Sequence, residues 1–203
     1  MIKRFLQRFT SQETNPPVII VSGLPRSGTS MMMKILEAGG LPVLTDNIRT
    51  ADDDNPEGYY EFERVKKLPK GDVAWLDEAT GKVVKVLAIL LFNLPEGYNY
   101  RVVFMRRAMP EILASQRTML INRGEDPDKM DDEALAVLFE KYFRQAKAWM
   151  KQQPHVEYIE VDYNTLLENP LPQIEAINRF FNGKLDQDAM LHVVDPQLYR
   201  QRR

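Results

Sequence analysis

The chain alternates short apolar runs with longer segments whose apolar residues recur at helical intervals. Runs 18–23, 82–86 and 100–105 are rich enough in apolar residues for strands buried on both faces of a parallel sheet, and 156–161 looks like a fourth strand. Residues 41–46 are a candidate short strand. Helices are predicted at about 29–38, 110–122, 131–152, 164–168 and 171–181. Strands that alternate with helices predict an α/β fold.

The predicted architecture is a three-layer α/β sandwich with a central, mostly parallel sheet. Ligands of such sheets bind beyond the carboxyl ends of the strands, so the loops after Ser22, Val86 and Met105 should converge on one crevice. The length of 203 residues favours a single domain over 1–203. Within it, residues 1–15 have the apolar spacing of an amphipathic helix or arm, which we expect to pack on the domain rather than on a membrane surface.

Composition narrows the possible partners. The net charge is −2, which gives no global attraction to nucleic acid or acidic membranes, so any anion site must be local. The chain has no cysteine, which excludes disulfides, thiolate ligands and cysteine nucleophiles. His155 and His192 lie too far apart in sequence to indicate a histidine-rich metal site. No apolar run reaches the length of a transmembrane segment and no secretory signal is present, so a cytoplasmic location is expected.

The loop 23–30, Gly-Leu-Pro-Arg-Ser-Gly-Thr-Ser, keeps the frame of a phosphate-binding P-loop between a buried strand and a helix. Thr29 stands where a P-loop kinase has lysine, and Arg26 supplies a positive charge from within the loop. Backbone amides of the loop and of the first helical turn would face a bound anion. The hydroxyls of Ser27, Thr29 and Ser30 add possible donors. An ordinary capped turn is the alternative, but the coincidence of these features favours an anion site.

The run Pro-Arg-Ser-Gly-Thr-Ser resembles the 5′-phosphosulfate loop of sulfotransferases, especially the protein-tyrosine type and small bacterial members. The resemblance implies a P-loop nucleotide-kinase-like fold and transfer of a sulfuryl group from 3′-phosphoadenylyl sulfate (PAPS) to a hydroxyl acceptor, leaving adenosine 3′,5′-bisphosphate (PAP). It assigns the 5′-phosphosulfate end of the donor to Arg26, Ser27, Gly28, Thr29 and Ser30.

A second motif, 101–117, is similar to the family's 3′-phosphate motif, in which an arginine at a strand end is followed by a serine eight residues later. Arg107 and Ser115 have this spacing, and Glu111 stands where the family often has an acidic residue. The family's proline follows the arginine more closely than Pro110 does here, so Arg106 is an alternative ligand. A solvated pair of arginines at a strand end is the other interpretation.

Further likeness to bacterial relatives lies at 55–61 and 161–170.

Sulfuryl transfer needs in-line geometry and a cation at the leaving oxygen. The resemblance implies that Lys85, assisted by Arg26, contacts the leaving oxygen. Because protein cations can stabilise PAP, we expect no metal ion. The tail 199–203 is basic, and either remains solvated or folds over the 3′-phosphate.

The general base is a carboxylate in this interpretation. Cytosolic family members place a histidine where this chain has Leu87, whereas the tyrosine- and glycan-modifying branches use a carboxylate. Glu61 is the first choice because it closes the Gly-Tyr-Tyr-Glu segment. Asp46 is second and Glu57 third.

Two other functions stay open from the residues. One is a P-loop kinase of small metabolites, with 106–117 as a phosphate clamp and Asp162 as the strand-end candidate for magnesium. The other is a nucleotide-binding module without catalysis. The sequence does not specify the acceptor, because acceptor pockets are built from variable loops. It does not specify the oligomeric state either.

Overall fold

The structure is a computed structural model that describes residues 16–46, 48 and 58–194. Among these residues, four strands form one sheet: β1 (Val18–Gly23), β2 (Val83–Lys85), β3 (Tyr100–Arg106) and β4 (Val156–Asp162). Their order is β2-β1-β3-β4, and every neighbouring pair is parallel. The predicted α/β fold with a central parallel sheet is confirmed.

The helices follow the strands in the order expected of crossover connections. They are α1 (Thr29–Ala38), α2 (Leu76–Ala79), α3 (Met109–Asn122), α4 (Asp132–Gln152), α5 (Tyr163–Glu168), α6 (Pro170–Phe180) and α7 (Gln187–Val193). Two 3₁₀ helices, Glu63–Lys70 and Ala88–Asn93, surround β2 in sequence. Within the described ranges, no helix combines the length and apolarity that crossing a membrane requires.

The central strand β1 is buried on both faces, which explains its continuous apolar sequence. Ile20 packs in one core with α2, α4 and both 3₁₀ helices. Val21 packs in the opposite core with α1, α5, α6 and α7. The sheet is therefore the middle of three layers.

The segment 41–46 differs from the predicted strand. It touches β2 through one parallel bridge between Val43 and Val83, and then turns away toward the chain at Glu61. Pro42 has no amide hydrogen to extend a ladder, and the amide of Asp46 donates to the carbonyl of Glu61, 3.2 Å away. The expected strand is thus reduced to a single bridge. The sequence-based expectations for 1–15, for Glu57 and for the basic tail 199–203 lie outside the described residues.

Candidate functional site

The loop between β1 and α1 is shaped by its own polar groups. The hydroxyl of Ser27 donates to the carbonyl of Leu24 at 2.7 Å, and the Ser27 amide bonds to the same oxygen at 3.3 Å. Leu24 is buried against Ile112 of α3 and Phe139 of α4. The Ser27 hydroxyl, expected to face an anion, therefore stabilises the turn instead.

Both loop glycines stand where the chain approaches another element too closely for a side chain. A Cβ on Gly23 would lie 2.5 Å from Ser27 Oγ and 2.9 Å from the carbonyl oxygen of Met105. Gly28, with φ of 90°, precedes α1 in the left-handed region, and a Cβ there would lie 2.3 Å from Cδ2 of Tyr163. The glycine frame seen in the sequence is thus required by packing as well as by backbone conformation.

Arg26 also has a positive φ, of 65°. The left-handed conformation costs a residue with a Cβ about 1–2 kcal/mol, so neighbouring contacts must hold it. One contact joins the Arg26 side chain to the second motif: its Nε donates to the hydroxyl of Ser115 at 2.9 Å. Ser115 is buried in the second turn of α3.

The start of α1 faces the same edge of the sheet. Gly28 at its N-terminus has no side chain to cap the helix, and among the described residues no side chain makes a capping bond there. Amides in the first turn of a helix lack carbonyl partners within the helix and attract negative charge. Together with Arg26, they give this edge the electrostatic character of an anion site.

The two arginines after β3 have different surroundings. Arg107 is 7% exposed, donates through Nη1 to the carbonyl of Arg26 at 3.0 Å and lies 4.5 Å from the ring centroid of Tyr163. Arg106 is 49% exposed and pairs with Glu160 at 3.6 Å. Arg107, the arginine chosen from the sequence, is thus the one that contacts the loop.

Lys85, at the end of β2, reaches the first turn of α1. Its Nζ donates to the hydroxyl of Ser30 at 3.3 Å and to the carbonyl of Tyr59. The Ser30 hydroxyl also contacts that carbonyl, at 3.4 Å. The ends of β1, β2 and β3 therefore meet as the parallel sheet predicted, and the segment that contains Tyr59 lies over them.

The first-choice carboxylate, Glu61, lies two residues beyond Tyr59. Its side chain is 18% exposed and its Oε2 lies 3.2 Å from Nζ of Lys66. A hydrogen bond to Glu63, followed by the contribution of Glu61, raises the pKa of Lys66 against the opposing effect of desolvation. Lys66 is therefore a permanent cation beside Glu61.

The second-choice carboxylate, Asp46, is occupied by the backbone. Its Oδ2 accepts from the amide of Glu63 at 2.6 Å, and its Oδ1 accepts from the amide of Ile48 at 3.1 Å. Because the bond to Glu63 caps the start of a 3₁₀ helix, the geometry gives Asp46 a structural role. Over residues 16–46, 48 and 58–194, no group of three or more histidine, aspartate or glutamate side chains is arranged to hold a metal ion.

Sequence reasoning gave no role to three groups that the structure brings to this edge. They are the carbonyl of Tyr59, the ring of Tyr163 and the side-chain amide of Asn164, which contacts Glu111. For Tyr163 and Asn164, the only signal in the sequence was the similarity of 161–166 to relatives.

A family model described as "Sulfotransferase domain" matches residues 16–199. Among solved structures, sulfotransferase STF1 from Mycobacterium tuberculosis H37Rv has 17% identity and a TM-score of 0.52, over 87% of this chain and 71% of that one. The sulfotransferase domain from the curacin biosynthetic pathway has 14% identity and a TM-score of 0.48, over 83% and 75%. Retinol dehydratase, in complex with androsterone and inactive cofactor PAP, has 16% identity and a TM-score of 0.47, over 87% and 62%. No curated protein sequence matches the chain.

Proposed function

Because this chain belongs to the sulfotransferase domain family, we propose that it transfers a sulfuryl group from PAPS to a hydroxyl acceptor. The observation that carries this proposal is the hydrogen bond between Arg26 and Ser115, which brings the 5′-phosphosulfate loop and the 3′-phosphate motif together. Neither motif alone specifies a nucleotide with phosphate groups at both ends. In this proposal, residues 1–203 form one domain.

The donor is held at its two charged ends. The amides at the start of α1, with Ser30 and the guanidinium of Arg26, take the 5′-phosphosulfate group. Arg107 and Ser115 take the 3′-phosphate. When PAPS binds, the charged oxygens of its phosphate and sulfate groups replace part of the hydrogen bond from Arg26 Nε to Ser115 Oγ, because a charged oxygen accepts a hydrogen bond more strongly than a hydroxyl.

Transfer needs one bond to form as another breaks. The acceptor oxygen attacks sulfur in line, the bond from sulfur to the 5′-phosphate oxygen breaks, and the acceptor proton passes to a carboxylate. Lys85 donates from Nζ to the leaving oxygen as charge develops on it. Glu61 takes the proton in this scheme, since both carboxylate oxygens of Asp46 are already bonded to backbone amides.

Calorimetry with PAP and with ATP plus magnesium tests the donor. We expect PAP to bind in the presence of EDTA, and to bind more tightly than ATP with magnesium. Binding of ATP that depends on magnesium, without binding of PAP, would instead indicate the kinase. Transfer of labelled sulfate from PAPS to a panel of phenols, sugars and aliphatic alcohols then identifies the acceptor class, and no transfer to any hydroxyl would indicate a module that only binds the nucleotide.

A further inference from the structure

A chain of hydrogen bonds, here the Arg107 network, joins the donor loop to α3 and α5; its centre, the pair of Arg107 and Glu111, is buried. Arg107 donates from Nη1 to the carbonyl of Arg26 and from Nε to Oε2 of Glu111, at 3.0 Å in each case. Asn164 donates from Nδ2 to Oε1 of Glu111 at 2.8 Å. Its Oδ1 accepts from the amide of Ala108, at the start of α3, at 3.2 Å.

The two charged members of the network, Arg107 and Glu111, have little freedom to point elsewhere. The ion pair of Arg107 and Glu111 leaves the two side chains only 7% and 4% exposed. The face of the Arg107 guanidinium lies against the ring of Tyr163, and that ring lies so close to Gly28 of the loop that a Cβ on Gly28 would be 2.3 Å from its Cδ2. A buried arginine requires a charged partner and satisfied hydrogen bonds. Glu111 is the charged partner, the carbonyl of Arg26 accepts a second bond, and Asn164 holds the other oxygen of Glu111.

The end of the network is the strained residue of the loop. Arg26 has a φ of 65°, and its carbonyl accepts the hydrogen bond from Arg107. Strained backbone persists where surrounding contacts hold it. The orientation of this peptide group also sets the direction of the Ser27 amide and of the Arg26 side chain, both of which belong to the loop.

We propose that Glu111 and Asn164 are positioning residues for donor binding. They fix the guanidinium of Arg107, which fixes the carbonyl of Arg26 and thereby the loop that receives the 5′-phosphosulfate. This inference rests on the proposed function, and it gives Arg107 a second task besides contact with the 3′-phosphate. Since the network lies on the donor side, its loss raises the KM for the donor and leaves the KM for the acceptor unchanged.

The first test is Glu111→Gln. Both oxygens of Glu111 accept hydrogen bonds, so a glutamine must turn its NH₂ group toward Arg107 or toward Asn164, and two donors then face each other. We expect PAP to bind at least about tenfold more weakly, the scale of a lost charge-assisted bond. Asn164→Ala removes the bridge without adding a charge and should weaken binding several-fold.

Asn164→Asp gives a signature that a merely structural role would not produce. It sets a second carboxylate against Glu111, where one proton is shared and one carboxyl pKa rises. The groups that face it are Glu111 from α3, the amide of Ala108, and Arg107 beyond Glu111. Relative to wild type at each pH, PAP affinity should recover as the pH falls, whereas Asn164→Ala should stay flat.

Two variants serve as controls. Asn178→Ala removes a side-chain amide that is even more buried, and its Oδ1 accepts from the amide of Leu185 at 2.9 Å, away from the loop. Glu160→Gln removes a carboxylate that pairs with Lys147 at a neighbouring strand. Both should bind PAP like wild type, even where the melting temperature falls.

The outcomes separate the two proposals. If wild type binds PAP while Glu111→Gln and Asn164→Ala bind it equally well, the positioning role is overturned and the proposed function stands. If wild type fails to bind PAP, the proposed function fails and the inference with it. Should Glu111→Gln unfold, Asn164→Ala and the pH dependence of Asn164→Asp decide the question.

Discussion

The guanidinium Nε of Arg26 lies 2.9 Å from the hydroxyl oxygen of Ser115, a residue 89 positions later in the chain. Arg26 belongs to the loop after β1, and Ser115 belongs to the helix after β3, so the contact joins the edges of two adjacent parallel strands. It brings two groups suited to phosphate oxygens within one hydrogen bond of each other. This proximity supports the proposed site for a nucleotide that carries two phosphate groups.

Replacement of Arg26 by alanine should weaken the binding of PAP. Loss of a charge-assisted hydrogen bond costs about 1.5–3 kcal/mol, which corresponds to roughly 10- to 150-fold in the dissociation constant measured by calorimetry. The matched control is Arg106→Ala, because the side chain of Arg106 is 49% exposed and pairs with Glu160. Equal losses in the two variants would contradict the assignment, because the effect would then come from general charge.

Gly28→Ala should unfold the loop and lower the stability of the whole chain. The new Cβ meets Tyr163 at 2.3 Å and the backbone has a φ of 90°, so we expect a loss of about 3 kcal/mol in the free energy of unfolding from clash and strain together. The control is Gly40→Ala, because Gly40 also has a positive φ, 97°, but a Cβ there would have no atom within 4 Å. Urea denaturation should show a smaller loss there, of about 1–2 kcal/mol, and identical midpoints for the two variants would refute the role of Tyr163.

Lys85→Met should reduce turnover. A donor aimed at a developing negative charge contributes about 100- to 1,000-fold to kcat, and Lys85 already reaches the first turn of α1. The control is Lys82→Met, one residue before the same strand, where the side chain is 37% exposed and lies 3.8 Å from Glu78. Steady-state rates with PAPS should fall only for Lys85→Met; a fall in both variants would show that the loss of positive charge on this strand, rather than its position, is responsible.

Glu61→Gln should lower kcat while PAP binds as in wild type. A general base contributes about 100- to 10,000-fold, and glutamine cannot take the acceptor proton. Glu63→Gln is a close control, because Glu63 pairs with the same Lys66 at 2.6 Å. Full activity of Glu61→Gln would exclude Glu61 as the base and make Asp46 the next candidate, although Asp46→Asn leaves one of two backbone amides without an acceptor and should mainly cost about 1 kcal/mol of stability.

The sequence predicted the parts of the fold whose signal is periodic or strongly apolar. The start and end of α1 agree with the expected 29–38, and β3 is one residue longer than expected. The 3₁₀ helix Glu63–Lys70 was missed because it contains Pro69 and only two buried residues. The segment 41–46 was misassigned because its contacts with Glu61 come from a part of the chain that local pattern does not reveal.

The position of Arg26, Lys85 and Arg107 at one edge of the sheet was predictable, because each lies at or just after the carboxyl end of a parallel strand; their roles in binding and transfer stay predictions. The site was not predictable where a backbone carbonyl is the partner, as for Tyr59, because every residue has a carbonyl. The Ser27 hydroxyl illustrates the same limit: its type suggests a ligand donor, and its place in the turn directs it to Leu24.

The strand order β2-β1-β3-β4 has a consequence for synthesis on the ribosome. The loop after β1 is made early, yet the strand that flanks it begins at Tyr100, and Asn164 follows β4 later still. At about 5–20 residues per second, these later segments emerge on the order of ten seconds after the loop. A nascent chain that ends before Val156 thus carries the whole phosphate-loop sequence without β4, Tyr163 and Asn164, and we expect full nucleotide affinity only after Asn164 has emerged.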